Sequence, residues 1–295
     1  MATTLPKVWL ITGTSSGFGR RLVNIVLQRG DRVIATARTL VKIDDLPKSS
    51  NLHCAELDIS TGTENVEKQV VAAVTAAQAL GWDTIDVLVN NAGVGLPSLL
   101  EEGGAAKMMI QYQTNVFGTL DVTNAVLPYM RKQKSGTVVM MGSRSGWRSE
   151  IKVIGFYGSS KAAIHAISET LAVELEPLGI RTLIVEPGAF RTENIYIHPF
   201  AESNAIADYN EEREKSIATW SLPAGKQPGD PDKAMKAVVE VVCGEGRAKG
   251  KEWPLYLVLG KDADRDIRNK CARMIRHLDE WSDVVRDVDL DEIAS

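Results

Sequence analysis

The chain has 295 residues, 44% apolar and 24% charged, with a formal net charge of −4. This is globular composition, and it excludes a disordered, collagen-like or disulfide-stapled chain. Mild acidity argues against nucleic acid as a partner. No uninterrupted apolar stretch approaches the roughly 18 residues of a membrane-spanning helix, so no membrane role is expected. The first ten residues carry no cleavage-site pattern and do not read as a signal peptide. Cys54, Cys243 and Cys271 lack CxxC or metal spacing and read as reduced packing residues of a cytoplasmic protein. The four histidines form no ligand cluster.

Short apolar runs alternate with helix-period segments. Val8–Ile11 reads as a buried parallel strand, followed by a helix from Gly17 to Arg29 that Gly30 ends. Strands are expected at Arg32–Thr36 and Leu52–Leu57, then a helix from Thr63 to Leu80 ended by Gly81. Ile85–Val89 is a fourth strand, Lys107–Met130 a long helix, and Gly136–Met141 a fifth strand. A helix from Phe156 to Leu178 is followed by strands at Ile180–Val185 and Leu255–Leu259. Strand–helix alternation predicts an α/β fold: one doubly wound parallel sheet of about seven strands, with helices on both faces. No linker divides the chain, so one domain over 1–295 is expected. Its least regular part is a loop over about 190–231.

The first strand runs into Thr12-Gly13-Thr14-Ser15-Ser16-Gly17-Phe18-Gly19. Glycine allows a tight turn at Gly13, close approach of a pyrophosphate at Gly17, and helix packing at Gly19. The helix N-terminus then offers free N–H groups and a positive dipole end to an anion. Gly13, Ser15, Ser16, Gly17, Phe18 and Gly19 are therefore candidate nucleotide contacts. At the end of the second strand, dinucleotide folds that prefer NAD place an acid for the ribose 2′-OH. Between Arg32 and Val41 there is no acid, and Arg38 can instead grip a 2′-phosphate with its planar fork. Ser15 and Thr39 can add hydroxyls. NADP(H) is therefore favoured over NAD(H).

Tyr157 and Lys161 lie four apart, on one face of a helix. An isolated phenol titrates near pH 10, and a neighbouring ammonium would lower that value. Carbonyl reduction needs such a proton donor, because it leaves an alkoxide to be protonated. Ser143 ends strand five, Asn90-Asn91-Ala92-Gly93 ends strand four, and Glu186-Pro187-Gly188 ends strand six, with Thr192 beyond. Strand C-termini are where open α/β sheets bind ligands.

These residues together resemble the short-chain dehydrogenase/reductase family, in its non-extended branch, over roughly residues 7 to 260. The resemblance implies a Rossmann-type fold and a tetrad of Asn115, Ser143, Tyr157 and Lys161. Tyr157 would be the general acid/base, and Ser143 would polarise the substrate carbonyl. Lys161 would lower the Tyr157 pKa and bind the nicotinamide ribose. Asn115 would sit where a distorted helix holds a water relaying protons to Lys161. The resemblance also implies adenine contacts at Asp58 and Ile59, and an adenosine-ribose floor at Asn91, Ala92 and Gly93. The segment from Pro187 and Gly188 through Phe190 to Thr192 would meet the nicotinamide carboxamide. Two features depart from the family pattern. Ser143 precedes Tyr157 by fourteen residues, one more than expected, which leaves Ser145 as a competitor. None of Thr14, Ser15 or Ser16 is basic, so Arg38 carries the NADP preference.

Substrate choice is expected in the loops over 94–100, 144–156 and 190–223, which hold Trp147, Ile151, Phe190, Tyr196, Phe200 and Trp220. Their character points to an apolar ketone, aldehyde or alcohol, with half of the aromatics as ordinary core. Glu186 and His198 read as structural. A C-terminal helical extension over about 261–292 carries apolar residues at 267, 271, 274, 278, 281, 285 and 288. Its charges are mostly basic first and acidic later, which opposes the dipole of a single helix. Two helices, or pairing with a neighbour, would relieve this. The plainest expectation packs the stripe on its own subunit; a subunit contact and a lid are the alternatives. The expected function is NADP(H)-dependent interconversion of a carbonyl and an alcohol, in a homodimer or homotetramer. A catalytically silent nucleotide sensor on the same fold is the competing reading. A sugar-nucleotide epimerase would favour a different glycine spacing.

Overall fold

The computed structural model describes residues 6–148, 150–193, 200, 204–220, 225–288 and 290. Seven parallel strands form one sheet: β1 (Val8–Ile11), β2 (Arg32–Ala37), β3 (Leu52–Glu56), β4 (Val87–Asn90), β5 (Gly136–Met141), β6 (Ile180–Pro187) and β7 (Tyr256–Leu259). Their order is β3-β2-β1-β4-β5-β6-β7. The order reverses between β1 and β4, so the crevice at their C-terminal ends is the topological switch point where this fold takes ligands. Both faces of the sheet are covered, which explains the continuous apolar strands. Val8, Leu10 and Leu88 point to one face with Val66, Val126 and Ile164, while Trp9, Ile11 and Val89 point to the other with Leu22, Val26 and Val238.

The helices follow from these two cores. α2 (Thr63–Ala79), α4 (Thr119–Gln133) and α5 (Gly155–Leu175) cover the first face; α1 (Gly17–Gln28) and α7 (Pro231–Cys243) cover the second. α7 begins where the Asp230 carboxylate accepts from the N–H groups of Asp232 and Lys233, with Pro231 in the first turn. α3 (Leu100–Tyr112) starts seven residues before the expected Lys107, carries a non-helical Gly104 (φ 55°), and runs through a π-helical segment, Gln113–Gly118, into α4. The stretch from Phe190 to Pro231 is more regular than its sequence suggests, because it contains α6 (Asn210–Trp220). α6 is predominantly polar, so no apolar stripe announces it. A buried ion pair, Arg213 with Glu102 of α3, holds it instead.

The C-terminal extension forms α8 (Lys261–Glu280) and a short α9 (Ser282–Val285), separated at Trp281. The expectation that its stripe packs on its own subunit is not met. Ala263 and Asp266 are buried, but Met274, Leu278, Trp281, Val285 and Val288 are exposed. Cys271 is exposed rather than packed; Cys54 and Cys243 are half-buried, and all three are free thiols. No described helix is long and apolar enough to cross a membrane.

Candidate active site

The glycine turn is held from both sides. Thr12 Oγ1 accepts from the N–H groups of Asn91 and Ala92 (2.9 Å each), and Asn91 Nδ2 donates to the carbonyls of Thr12 and Gly13 (2.8 and 3.0 Å). A Cβ on Gly13 (φ 68°) would lie 2.8 Å from Ala92 Cα, and one on Gly19 would lie 2.4 Å from the Gly13 carbonyl oxygen. Both close approaches therefore require glycine. Ser16 stands extended before α1, and Gly17 (φ 58°) opens the helix. Gly17 N–H donates to the Glu193 carboxylate (3.1 Å), which Arg21 also clamps through Nη1 and Nη2 (2.9 and 2.7 Å). These bonds hold the Glu193 carboxyl down at about 2. The helix N-terminus thus already receives an anion, as a pyrophosphate-binding turn should. Sequence reading missed Glu193 and Arg21, because the two are 172 residues apart and no local motif links them.

Other expected nucleotide contacts line the same edge. Arg38 is exposed directly after β2, and Thr14 ties the turn to that strand by donating from N–H and Oγ1 to the Thr36 carbonyl (3.0 and 3.1 Å). Asp58 turns back on its own loop, accepting from Ser60 N–H and Oγ (3.0 and 2.7 Å). Ile59 is buried in the core, with its carbonyl packed against Gly118. In the segment after β6, Gly188 N–H donates to Leu259, and Ala189 N–H donates to the Asp262 carboxylate (2.8 Å). Phe190 is buried, with its ring edge-on to Phe18 at 5.4 Å, and is therefore core rather than substrate-pocket lining. Thr192 lies beside Gly17.

Asn115, Ser143, Tyr157 and Lys161 converge at the C-terminal ends of β4 and β5. The Ser143 hydroxyl lies close enough to the Tyr157 phenol to influence its ionisation. Ser143 Oγ also accepts from Ser145 N–H (3.1 Å), so Ser145 braces the turn with its backbone. The longer connection to Tyr157 contains Val153 at φ 64°, strained for a β-branched residue; its carbonyl accepts from Ser98 N–H. Lys161 is buried; its Nζ donates to the Met141 carbonyl (2.6 Å) and lies 5.7 Å from the Tyr157 ring centroid. Burial lowers Lys161 to about 8. It also raises Tyr157 above the usual phenol value, and the nearby Ser143 hydroxyl opposes that only in part. The expected lowering of Tyr157 by a neighbouring ammonium is not found in this geometry, because Lys161 faces a carbonyl rather than the phenol oxygen.

Asn115 lies in the π-helical segment. Its amide accepts from Val94 N–H and donates to the Val94 carbonyl (both 2.9 Å) and to Ser160 Oγ (3.1 Å). It thereby pins the loop after β4 against α5. Buried Gln111 repeats this one turn earlier, donating to the Val94 carbonyl (2.7 Å) and accepting from Leu96 N–H (2.9 Å). Sequence reading missed Gln111, a polar residue inside a helix with no nearby motif.

Behind Ser143 lies a second buried cluster. His165 Nε2 accepts from Ser143 N–H (3.4 Å) and lies 3.2 Å from Glu186 Oε1. Trp147 Nε1 donates to the same oxygen (2.7 Å), so Trp147 is a structural partner here rather than free pocket lining. Burial raises Glu186 to about 7 and lowers His165 to about 4, the latter helped by the charge of Lys161. Glu186 has the structural place expected of it. Ile151 is half-buried in the loop over 144–156, and Phe200 is half-buried. Tyr196, His198 and the Trp220 side chain lie outside the described residues. No described group of His, Cys, Asp and Glu has metal-site geometry.

The family model "short chain dehydrogenase" matches residues 7–196. Across 248 residues, 80% of this chain and 84% of the relative, the chain is 32% identical to the uncharacterized oxidoreductase YusZ of Bacillus subtilis. It is 31% identical to oxidoreductase BOA17 of Botryotinia fuckeliana, over 95% of this chain and 98% of that one. A crystal structure of a short-chain dehydrogenase from Streptomyces avermitilis superposes with a TM-score of 0.82 at 33% identity, covering 97% of this chain and all of that one. More distant structures share the fold. One, from Burkholderia cenocepacia, is in complex with NADP (TM-score 0.68, 22% identity, 93% and 97% covered). Another, from Burkholderia phymatum, is in complex with NAD (0.71, 21%, 97% of each). The chain belongs to the short-chain dehydrogenase/reductase family. It is an oxidoreductase of that family on a Rossmann-type sheet.

Proposed function

We propose that this chain interconverts a ketone or aldehyde and its alcohol on an apolar small molecule, using NADP(H). The observation that carries the reading is the convergence of Ser143, Tyr157 and Lys161 at the strand ends beside a turn that already binds a carboxylate. The turn residues Gly13 to Gly19, with Asn91, Ala92 and Gly93, would hold the dinucleotide. Asp58 and Ile59 would border its adenine, and the segment from Pro187 to Thr192 would border its nicotinamide. Arg38 would take a 2′-phosphate, which is why NADP(H) is preferred to NAD(H). When bound, the nicotinamide supplies or accepts the hydride.

The chain's own groups manage the oxygen. Ser143 donates a hydrogen bond to the substrate carbonyl oxygen. Tyr157 delivers its phenol proton to that oxygen as the alcohol forms, and takes it back in the reverse direction. Lys161, 5.7 Å from the Tyr157 ring centroid, would orient the nicotinamide ribose. Asn115 keeps the loop after β4 against α5 and serves the proton path to Lys161. Cytoplasmic location and a homodimeric or homotetrameric assembly complete the reading.

NADPH consumption with a panel of apolar ketones tests it. Tyr157→Phe should lower kcat by about 10²–10⁴-fold, the usual worth of a general acid. Equal rates in both proteins would overturn the mechanism. Arg38→Asp should move preference from NADPH towards NADH, and an unchanged preference would remove Arg38 as the selector.

A further inference from the structure

The turn read as the pyrophosphate site carries one of the chain's own carboxylates. Gly17 N–H, at the start of α1, donates to Glu193 Oε2 (3.1 Å). Arg21 grips both oxygens of that carboxylate, with Nη1 on Oε2 (2.9 Å) and Nη2 on Oε1 (2.7 Å). Arg21 is itself fixed one turn into α1, where Nη1 donates to the Gly17 carbonyl (3.1 Å) and Nε to Asp232 (3.3 Å). The chain leading to Glu193 is fixed as well. Phe190 is buried against Phe18, and Arg191 N–H donates to the Gly229 carbonyl (2.9 Å). The Arg191 guanidinium donates to the Gln227 carbonyl (3.1 and 3.3 Å). The Glu193 side chain is 55% exposed. It can therefore leave the turn by rotating its own bonds, without unfolding the segment that carries it.

Its position is the one a pyrophosphate needs. The first N–H groups of a helix have no partner within the helix, and together with the dipole they attract an anion. A carboxylate and a phosphate oxygen both seek the Gly17 N–H, and two like charges brought that close repel. Arg21 holds the Glu193 carboxyl at about 2, so it is charged at neutral pH. When the protein's own group fills a site, the ligand's apparent affinity is its intrinsic affinity reduced by the fraction of sites left free.

We infer that Glu193 is an internal competitor for the dinucleotide: its carboxylate takes the pyrophosphate's place on the Gly17 N–H and lowers the affinity of the site by having to leave first. The inference rests on the reading of the Gly13–Gly19 turn as the pyrophosphate site, but not on Arg38 or on the choice of NADP(H) over NAD(H). Calorimetric titration of the full chain with NADPH and with NADH tests it. Glu193→Gln and Glu193→Ala should each lower Kd about tenfold for any dinucleotide that binds wild type, as expected if the carboxylate holds the turn about nine-tenths of the time. Asp232→Asn removes a charge from the other side of Arg21 without touching the Gly17 N–H, and should change Kd far less. An unchanged or raised Kd in the Glu193 variants would make Glu193 a brace of the turn and overturn the inference. An equal gain in Asp232→Asn would reduce the effect to general charge and overturn it too. If neither dinucleotide binds wild type or variants, the dinucleotide reading itself falls, and the inference with it.

Discussion

At the residue scale, two buried titratable groups set the character of the site. Lys161 ionises at about 8 when folded and near 10.5 when free, so the fold penalises its charged form. That penalty applies in full below pH 8 and fades as pH rises towards 10.5, because the unfolded chain then holds more protons than the folded one. Lys161→Met removes it and gives up one hydrogen bond to Met141. The variant should gain about 2 kcal/mol of stability at pH 7 while losing turnover. Thermal melts without dinucleotide check this, and a lower melting temperature would contradict it. Glu186 has the opposite slope. Its folded value of about 7 lies above its free value of 4.5, so its contribution is complete at pH 4.5 and lost as pH rises through 7. Glu186→Gln mimics the protonated acid. It should match wild type near pH 4.5 and be more stable at pH 8, by up to about 3 kcal/mol. Parallel stability–pH curves for the two proteins would refute the assignment. Tyr157, Lys161 and Ser143 were legible in the sequence because a local spacing and a strand end placed them. The Glu186–His165–Trp147 cluster was not, because burial alone gives those residues their chemistry.

At the element scale, the π-helical segment Gln113–Gly118 turns Asn115 towards the loop after β4. It needs glycine at its end. A Cβ on Gly118 would lie 2.0 Å from the Ile59 carbonyl oxygen, a backbone atom that cannot swing aside. Gly118→Ala should therefore cost about 1–3 kcal/mol or more, as overpacking does. Urea unfolding measures it, and an unchanged midpoint would mean that the segment after β3 yields freely. Strands were legible because parallel strands buried on both faces read as apolar runs; β1 and β5 match their expected bounds. The helix across 100–133 was legible in its middle, while its early start at Leu100 and its π-helical turn depend on packing against α5. α6 was missed because its stabilising contact is the ion pair of Arg213 with Glu102, a contact between residues 111 apart.

At the scale of the whole molecule, the C-terminal extension reaches the segment after β6, where the dinucleotide is proposed to bind. Asp262, the second residue of α8, accepts from Arg144 beside Ser143 and from Ala189 N–H in the segment after β6. Asp262→Ala frees Ala189 N–H and leaves Arg144 with Asp266 alone. Dinucleotide affinity should fall about tenfold, or 1.4 kcal/mol, with turnover at saturating dinucleotide largely kept. Fluorescence titration reads the affinity, and an unaltered Kd would confine α8 to the exterior. The chain by itself determined its family, the seven-stranded sheet and the expected catalytic triplet. Those features are written in local spacings: glycines at a strand–helix junction, Tyr157 four before Lys161, and apolar runs of strand length. Only the tertiary structure decided what long-range burial and charge control. It set the direction of the Tyr157 and Lys161 shifts, seated Glu193 on the Gly17 N–H, and buried Phe190 in the core. It also left the stripe of α8 facing outward. The physical reason is range: hydrophobic period and turn chemistry act over a few residues, whereas desolvation and ion pairing depend on which distant segments meet.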